Sequence, residues 1–272
     1  MSNLTSPIEN LKFLKLGGSL ITDKARPHTP RLEALARLAV EITAARRENP
    51  QMALLLGHGS GSFAHVPASR YGTRLGVSTS EQWLGFVEVW REAAMLNHIV
   101  MDALGAAGLP AVAFPPSACV TAARGRLAAW DISPLRIALE NGLLPVVYGD
   151  VIFDVEQGGT IFSTEDLFAY LALKFQPTSL LLAGLEAGVW EDYPQCTRLV
   201  EEVTPQNLAQ VAPGIGGSAD TDVTGGMASK VRQSLELVQK VPGLQVRIFS
   251  GETIGNVSRA LSGEVVGTLI HA

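Results

Sequence analysis

The sequence is short of cysteine, lysine and long apolar runs. Its two cysteines, Cys119 and Cys196, stand far apart and in no metal-ligand spacing. That excludes a disulfide scaffold and fits free thiols in a reducing compartment. Lys plus Arg total 21 against 26 Asp plus Glu, a formal net charge of −5. Such a balance argues against a nucleic-acid-binding face. No apolar run reaches the ~20 residues that span a bilayer, and the opening "MSNLTSPIENLKFLKLGG" has no basic stretch followed by an apolar one. A cytoplasmic protein is expected, with neither nucleic acid nor membrane as partner.

Two nucleotide signatures are also lacking. No G-x-x-x-x-G-K-[ST] occurs. The stretch "LLLGHGSGSFAHV", beginning at Leu54, does contain Gly59-x-Gly61-x-x-Ala64, the letters of a dinucleotide fingerprint. Those letters follow the second strand-like run rather than the first. Pro67 and Gly72 also stand where the fingerprint's helix would run, so a nicotinamide or flavin site is disfavoured.

Apolar residues are plentiful, at 47% of the 272 positions. Short apolar runs alternate with helical patterns. "LKFLKL" (11–16), "MALLL" (52–56), "AVAF" (111–114), "LLPVVYGD" (143–150), "SLLLA" (179–183), "QVRIFS" (245–250) and "GTLI" (267–270) read as strands. Helices are expected over about 30–47 with Thr29 as cap, 80–107, 133–142 with Ser133 as cap, 165–174 and 224–240. The stretch 151–163 reads as a hairpin turning at Gly158-Gly159. The polar region 191–222 reads either as a lobe over a nucleotide or as a surface loop. The alternation predicts an α/β fold with a mostly parallel sheet covered on both faces.

Glycine pairs and triplets cluster after these strands: Gly17-Gly18, Gly57/Gly59/Gly61, Gly149 and Gly225-Gly226. Ligands of open α/β sheets bind at strand C-terminal ends, and successive backbone N–H groups make anion-binding nests. Three of the six lysines, Lys15, Lys24 and Lys230, lie beside these turns. Lys15 sits inside an apolar strand, where a cation must snorkel or meet an anion. Lys230 lies in the first turns of a helix, with that helix's N-terminus beside it. Together they suggest a phosphate-transfer site.

The stretches "LKLGGSLITDK", "GHGSGSFAH", "YGDVIFD", "STEDLFAYLA", "DVTGGMASKV" and "RALSGEVVGTLI" resemble the amino acid kinase superfamily, and within it the isopentenyl phosphate kinases. The resemblance runs from about Leu11 to Ile270. It implies one domain over 1–272, a three-layer α/β/α sandwich with the amino acid kinase fold. About 1–175 would bind the phosphoryl acceptor and about 176–272 would bind ATP. It implies phosphorylation of isopentenyl phosphate by ATP with Mg²⁺, no protein metal ligands, and a homodimer. Lys15 and Lys230 would flank the transferred group, Lys24 would stabilise the transition state, and Asp166 would hold the two flanking lysines. Gly17, Gly18, Ser19, Gly61 and Gly226 would contact ATP. Gly59, Ser60, Gly61, His65, Gly149 and Asp150 would hold the acceptor, and His65 is the residue that separates this branch and the fosfomycin kinases from kinases of amino acids. His58 reads as structural.

Two departures from the family pattern stand out. Ala64 occupies a usual glycine, and "LEAGVW" (185–190) puts Leu185 and Ala187 where relatives carry acids. A wall for an apolar tail is sought around Trp83, Phe86, Val87 and Trp90, positions whose helical spacing equally suits core packing. A fosfomycin-type kinase and a non-catalytic nucleotide-binding regulator stay open as alternatives.

Overall fold

A computed structural model describes residues 8–215 and 226–272. The strands in chain order are β1 (Lys12–Leu16), β2 (Leu54–His58), β3 (Ala111–Ala113), β4 (Val120–Ala123), β5 (Arg126–Trp130), β6 (Leu144–Tyr148) and β7 (Asp150–Asp154). They continue with β8 (Gly158–Phe162), β9 (Ser179–Gly184), β10 (Val189–Trp190), β11 (Leu199–Val200), β12 (Glu202–Val203), β13 (Gln245–Ser250) and β14 (Thr268–Ile270). The helices are α1 (Gly18–Ile21), α2 (Leu32–Glu48), α3 (Gly61–Tyr71), α4 (Ser80–Ala106), α5 (Pro116–Cys119), α6 (Ser133–Glu140), α7 (Thr164–Phe175), α8 (Leu208–Val211), α9 (Gly226–Lys240) and α10 (Asn256–Ser262).

Eight strands form the central sheet in the order β12-β14-β13-β9-β1-β2-β6-β3. Six neighbouring pairs are parallel, and β13 with β14 is antiparallel. Successive residues of each strand feed opposite faces, because side chains alternate across a sheet. Phe13 and Leu55 pack under α7 and α9 with Phe168, Leu171 and Leu235. Leu14, Leu54 and Leu56 pack under α2, α4 and α10 with Leu38, Leu96 and Val257. The three-layer α/β/α arrangement follows from that alternation.

A second sheet, β5-β4-β7-β8, lies to one side. Tyr148, Val151 and Ile161 pack there with Ala64 of α3 and Phe86 and Val89 of α4. Strands β4 and β5 escaped the sequence reading, since "VTAARGRLAAW" is alanine-rich and carries little β-branched signal.

Several expected boundaries are corrected. The glycine loop after β2 does open a helix, α3, and Pro67 lies inside it. The helix starts within the strand-end turn and packs on α1 and α4, and tertiary contacts override the proline. Thr29 does not cap α2: its hydroxyl donates to the Pro27 carbonyl, and the chain is still bridged in extended form at Pro30. Ser133 is the first residue of α6 rather than its cap, and its N–H donates to Asp131. The hairpin turns at residues 155–157, not at Gly158-Gly159. There the Asp154 carboxylate accepts the N–H groups of Glu156 and Gln157, along with those of Arg124 and Gly125.

Candidate functional site

The C-terminal ends of β1 and β2 lie side by side, with Lys15 in register with Gly57 and Leu16 with His58. The turns leaving them interlock. A Cβ on Gly18 would lie 2.5 Å from the Gly61 nitrogen, and one on Gly59 would lie 2.9 Å from the Gly18 nitrogen. Any side chain there would force the two turns apart. Their closeness brings the starts of α1 and α3 together, so backbone N–H groups from both converge.

Those turns floor a cavity of about 270 Å³. Lys15, Lys24 and Lys230 reach it, as do Gly17, Gly18, Ser19, Gly59, Ser60, Gly61, His65, Gly149 and Asp150. Of the residues singled out in the sequence, Asp166 is not on its wall. Gly226 opens α9, which carries Lys230. Gly225 and residues 216–222 of the polar region lie outside the described residues; residues 191–215 include the β10–β11 pair, β12 and α8.

Lys15 is buried, and its partner is Glu165 of α7. Burial alone would raise the Glu165 carboxyl, but the charges of Lys15 and Lys230 outweigh it and hold the pKa below the ordinary value. Glu165 thus faces both lysines expected to flank the transferred group. This corrects the assignment to Asp166. Asp166 instead completes the capping box of α7, accepting from the Ser163 N–H at 2.9 Å and its hydroxyl at 2.8 Å, and it pairs with Arg74 at 3.2 Å. The physical reason is helical phase: the capping geometry turns the third helical residue back onto the cap and leaves the second facing β1. The strands leave space for this because residue 57 is glycine; a Cβ there would lie 2.5 Å from the Thr164 methyl and 2.7 Å from Phe168.

His58 is buried, stacked on Tyr148 at 5.3 Å, with Asn97 and the Gly59 carbonyl at its ring nitrogens. Burial lowers its pKa, as suits a neutral structural imidazole. Asp150 accepts from the Ser117 and Val151 N–H groups at 3.1 and 2.8 Å. Burial nonetheless raises its carboxyl to about 6.

Part of the cavity lining is an apolar patch, Ala64, Ala68, Val89 and Ile161, whose side chains belong to one packed cluster. Of the aromatic stripe expected as a wall, none of Trp83, Phe86, Val87 and Trp90 is among them. Phe86, Val87 and Trp90 border a separate surface groove with Phe153. α4 turns Val89, not its aromatics, toward the cavity. Arg74, Thr164 and Glu186 also line it and were not foreseen. Arg74 had no motif to mark it. In the departing "LEAGVW" turn, Glu186 accepts from the Trp190 indole at 2.8 Å. Ala64 lies within α3, where a helical backbone needs no glycine.

Among the described residues, no three His, Cys, Asp or Glu side chains group as a metal-binding cluster, and no helix is long and apolar enough to cross a membrane.

Residues 10–250 match the model of the amino acid kinase family. The chain is 32% identical over 269 residues to the isopentenyl phosphate kinase of Methanocaldococcus jannaschii, covering 96% of this chain and 98% of that one. It is 36% identical over 270 residues to the isopentenyl phosphate kinase of Methanothermobacter thermautotrophicus, covering 95% and 98%. An isopentenyl phosphate kinase solved by X-ray crystallography superposes with a TM-score of 0.80 at 34% identity, covering 96% of this chain and 99% of that one. The chain belongs to the amino acid kinase family and, within it, to the isopentenyl phosphate kinases.

Proposed function

We propose that the protein transfers the γ-phosphoryl group of ATP to isopentenyl phosphate, giving isopentenyl diphosphate and ADP. The observation that carries this reading is the polarity of the cavity. Lysines and glycine turns line it together with a patch of small apolar side chains, Ala64, Ala68, Val89 and Ile161, that pack in one cluster. A phosphate monoester with a short hydrocarbon tail matches both parts of that lining.

In the reaction, an oxygen of the acceptor phosphate forms a bond to the γ-phosphorus as the bond to the ADP oxygen breaks. A phosphate monoester has its second pKa near ~6 and is largely ionised at neutral pH, so the attacking oxygen needs little help from a base. The task left to the protein is to bring two anions into line and neutralise them. Lys15 and Lys230 flank the transferred group, with Glu165 fixing their geometry. Lys24 approaches from the loop after α1. The N–H groups of Gly18 and Ser19, with Gly61 and Gly226, serve ATP; the Gly17 N–H is taken by the Ala183 carbonyl at 2.8 Å, so Gly17 shapes the turn rather than donating to the nucleotide. Gly59, Ser60, Gly61, Gly149 and Asp150 serve the acceptor, and His65 donates to its phosphate. Each aligned donor is worth on the order of 3 kcal/mol in the transition state.

Mg²⁺ belongs to this reading as a companion of the nucleotide, and would supply neutralisation of phosphate charge. About 1–175 serve the acceptor and about 176–272 the nucleotide, within one domain. A cytoplasmic homodimer acting in an alternative mevalonate route to isoprenoids completes the proposal.

The test is ADP release by the purified protein from Mg-ATP and isopentenyl phosphate. Turnover of another small phosphate or phosphonate in its place gives a fosfomycin-type kinase. Nucleotide binding with no acceptor turned over gives a regulator.

A further inference from the structure

We propose that His28 and Glu92 form a latch that holds the Lys24 loop over the cavity, making both of them positioning residues for phosphoryl transfer. The inference rests on the reading of Lys24 given above.

Lys24 is exposed at the cavity mouth, on the loop between α1 and α2. A long cation on a surface loop has many positions available, and transfer chemistry tolerates few of them. The loop is closed at its base, where the Asp23 N–H donates to the Thr29 carbonyl at 2.9 Å. Its far side is tied down at His28. The His28 N–H donates to the Ser62 carbonyl at 3.3 Å, and the next N–H, of Thr29, donates to the Ser62 hydroxyl at 3.3 Å. The imidazole leans on Phe63, ring centres 5.6 Å apart. Its Nε2 lies 2.7 Å from Glu92 Oε2 on α4. The loop that carries Lys24 is thereby joined to the first turn of α3 and to α4, the helices that bear His65 and Val89.

Two features mark this contact as more than incidental. His28 has φ +52°, in the left-handed region, which non-glycine residues hold only when their surroundings impose it. Glu92 Oε2 is shielded from solvent, and among the described residues no aligned hydrogen-bond donor reaches it. A shielded carboxylate oxygen in that position needs a compensating polar partner, and the His28 Nε2, 2.7 Å away, is the group placed to supply it. Neither residue falls in any of the stretches that carry the family resemblance.

The test is a cycle of variants: His28→Ala, Glu92→Ala and Lys24→Ala, alone and combined, assayed with Mg-ATP and isopentenyl phosphate. His28→Ala and Glu92→Ala are each expected to lower kcat on the order of ten-fold and leave the dissociation constant for ATP within about two-fold. Placed on Lys24→Ala, neither should lower kcat further, because the group they position is gone. Amide hydrogen exchange of residues 23–29 should quicken in Glu92→Ala, whatever the activity. An equal fall in kcat with and without Lys24 would overturn the latch, as would unchanged exchange in the loop. Wild-type protein that turns over no isopentenyl phosphate would remove the proposed function, and the exchange result would still judge whether the contact holds the loop.

Discussion

Lys15 of β1 and Glu165 of α7 pair in the interior, at the point where the first strand ends and the cavity begins. The neighbouring acid, Asp166, faces its own helix cap and Arg74. The two carboxylates are adjacent in sequence and belong to different networks. Glu165→Gln leaves Lys15 buried without its counter-charge, which for a buried pair costs roughly 3–5 kcal/mol. The expected result is a kcat lower by about 10²-fold or more. Asp166→Asn loses part of a helix cap, about 1 kcal/mol of stability, and should keep kcat within several-fold. Equal loss in both variants would mean that the pairing with Lys15 has no special part in transfer.

His65 reaches the cavity from α3. His65→Gln should raise KM for isopentenyl phosphate and lower kcat/KM for it by at least ten-fold, on the basis of one charge-assisted bond worth roughly 1.5–3 kcal/mol. ATP affinity, measured by calorimetry, should stay near the wild-type value. A matching loss of both affinities would take His65 out of acceptor recognition.

The apolar patch of the cavity lining makes a prediction about size. Ala68→Phe fills space beside Val89 and Ile161 and should raise KM for isopentenyl phosphate several-fold, with ATP binding unchanged. Trp90→Ala acts on the separate surface groove and should leave KM within about two-fold. If the tryptophan variant is the one that shifts KM, the tail binds along the outer face of α4.

Asp150 gives stability a pH dependence of defined sign. Burial lifts its carboxyl from 3.8 to about 6. The folded state therefore holds this proton more tightly than the unfolded chain does. Stability from this group is full below the unfolded pKa and is lost as pH rises through about 6. Asp150→Asn abolishes the titration. Its melting temperature relative to wild type should climb between about pH 4 and about pH 7, by the equivalent of roughly 3 kcal/mol for a shift of about two units. A difference that stays flat across that window would show that Asp150 titrates as an ordinary carboxylate.

Most of the glycine turns and lysines that line the cavity were legible because they are local. Gly17, Gly18, Ser19, Gly59, Ser60 and Gly61 each sit within a few residues of a strand end, and strand ends are visible as apolar runs. Lys15 stood out as a charge inside such a run. Asp166 was misplaced because one residue of helical phase decides which acid faces the sheet, and that phase is set by the Ser163 cap together with the packing of Thr164 and Phe168 on Gly57. The α4 stripe was expected on the cavity wall and is not there, for a related reason. The α4 stripe has helical periodicity on more than one side, and only the side sheet, which covers Phe86 and Val89, decides which residues face the cavity.

The sequence by itself determined the layered α/β fold, its parallel strands, the glycine turns and the lysines beside them. Those depend on alternation, turn chemistry and composition, all of which act over short stretches of chain. The tertiary structure decided the rest: Glu165 as the partner of Lys15, the apolar patch built from α3, α4 and β8, and the tie from His28 to Glu92. Each of these joins residues distant in the chain, and their meeting depends on how helices rotate and sheets lean when the two cores close, which no local pattern encodes.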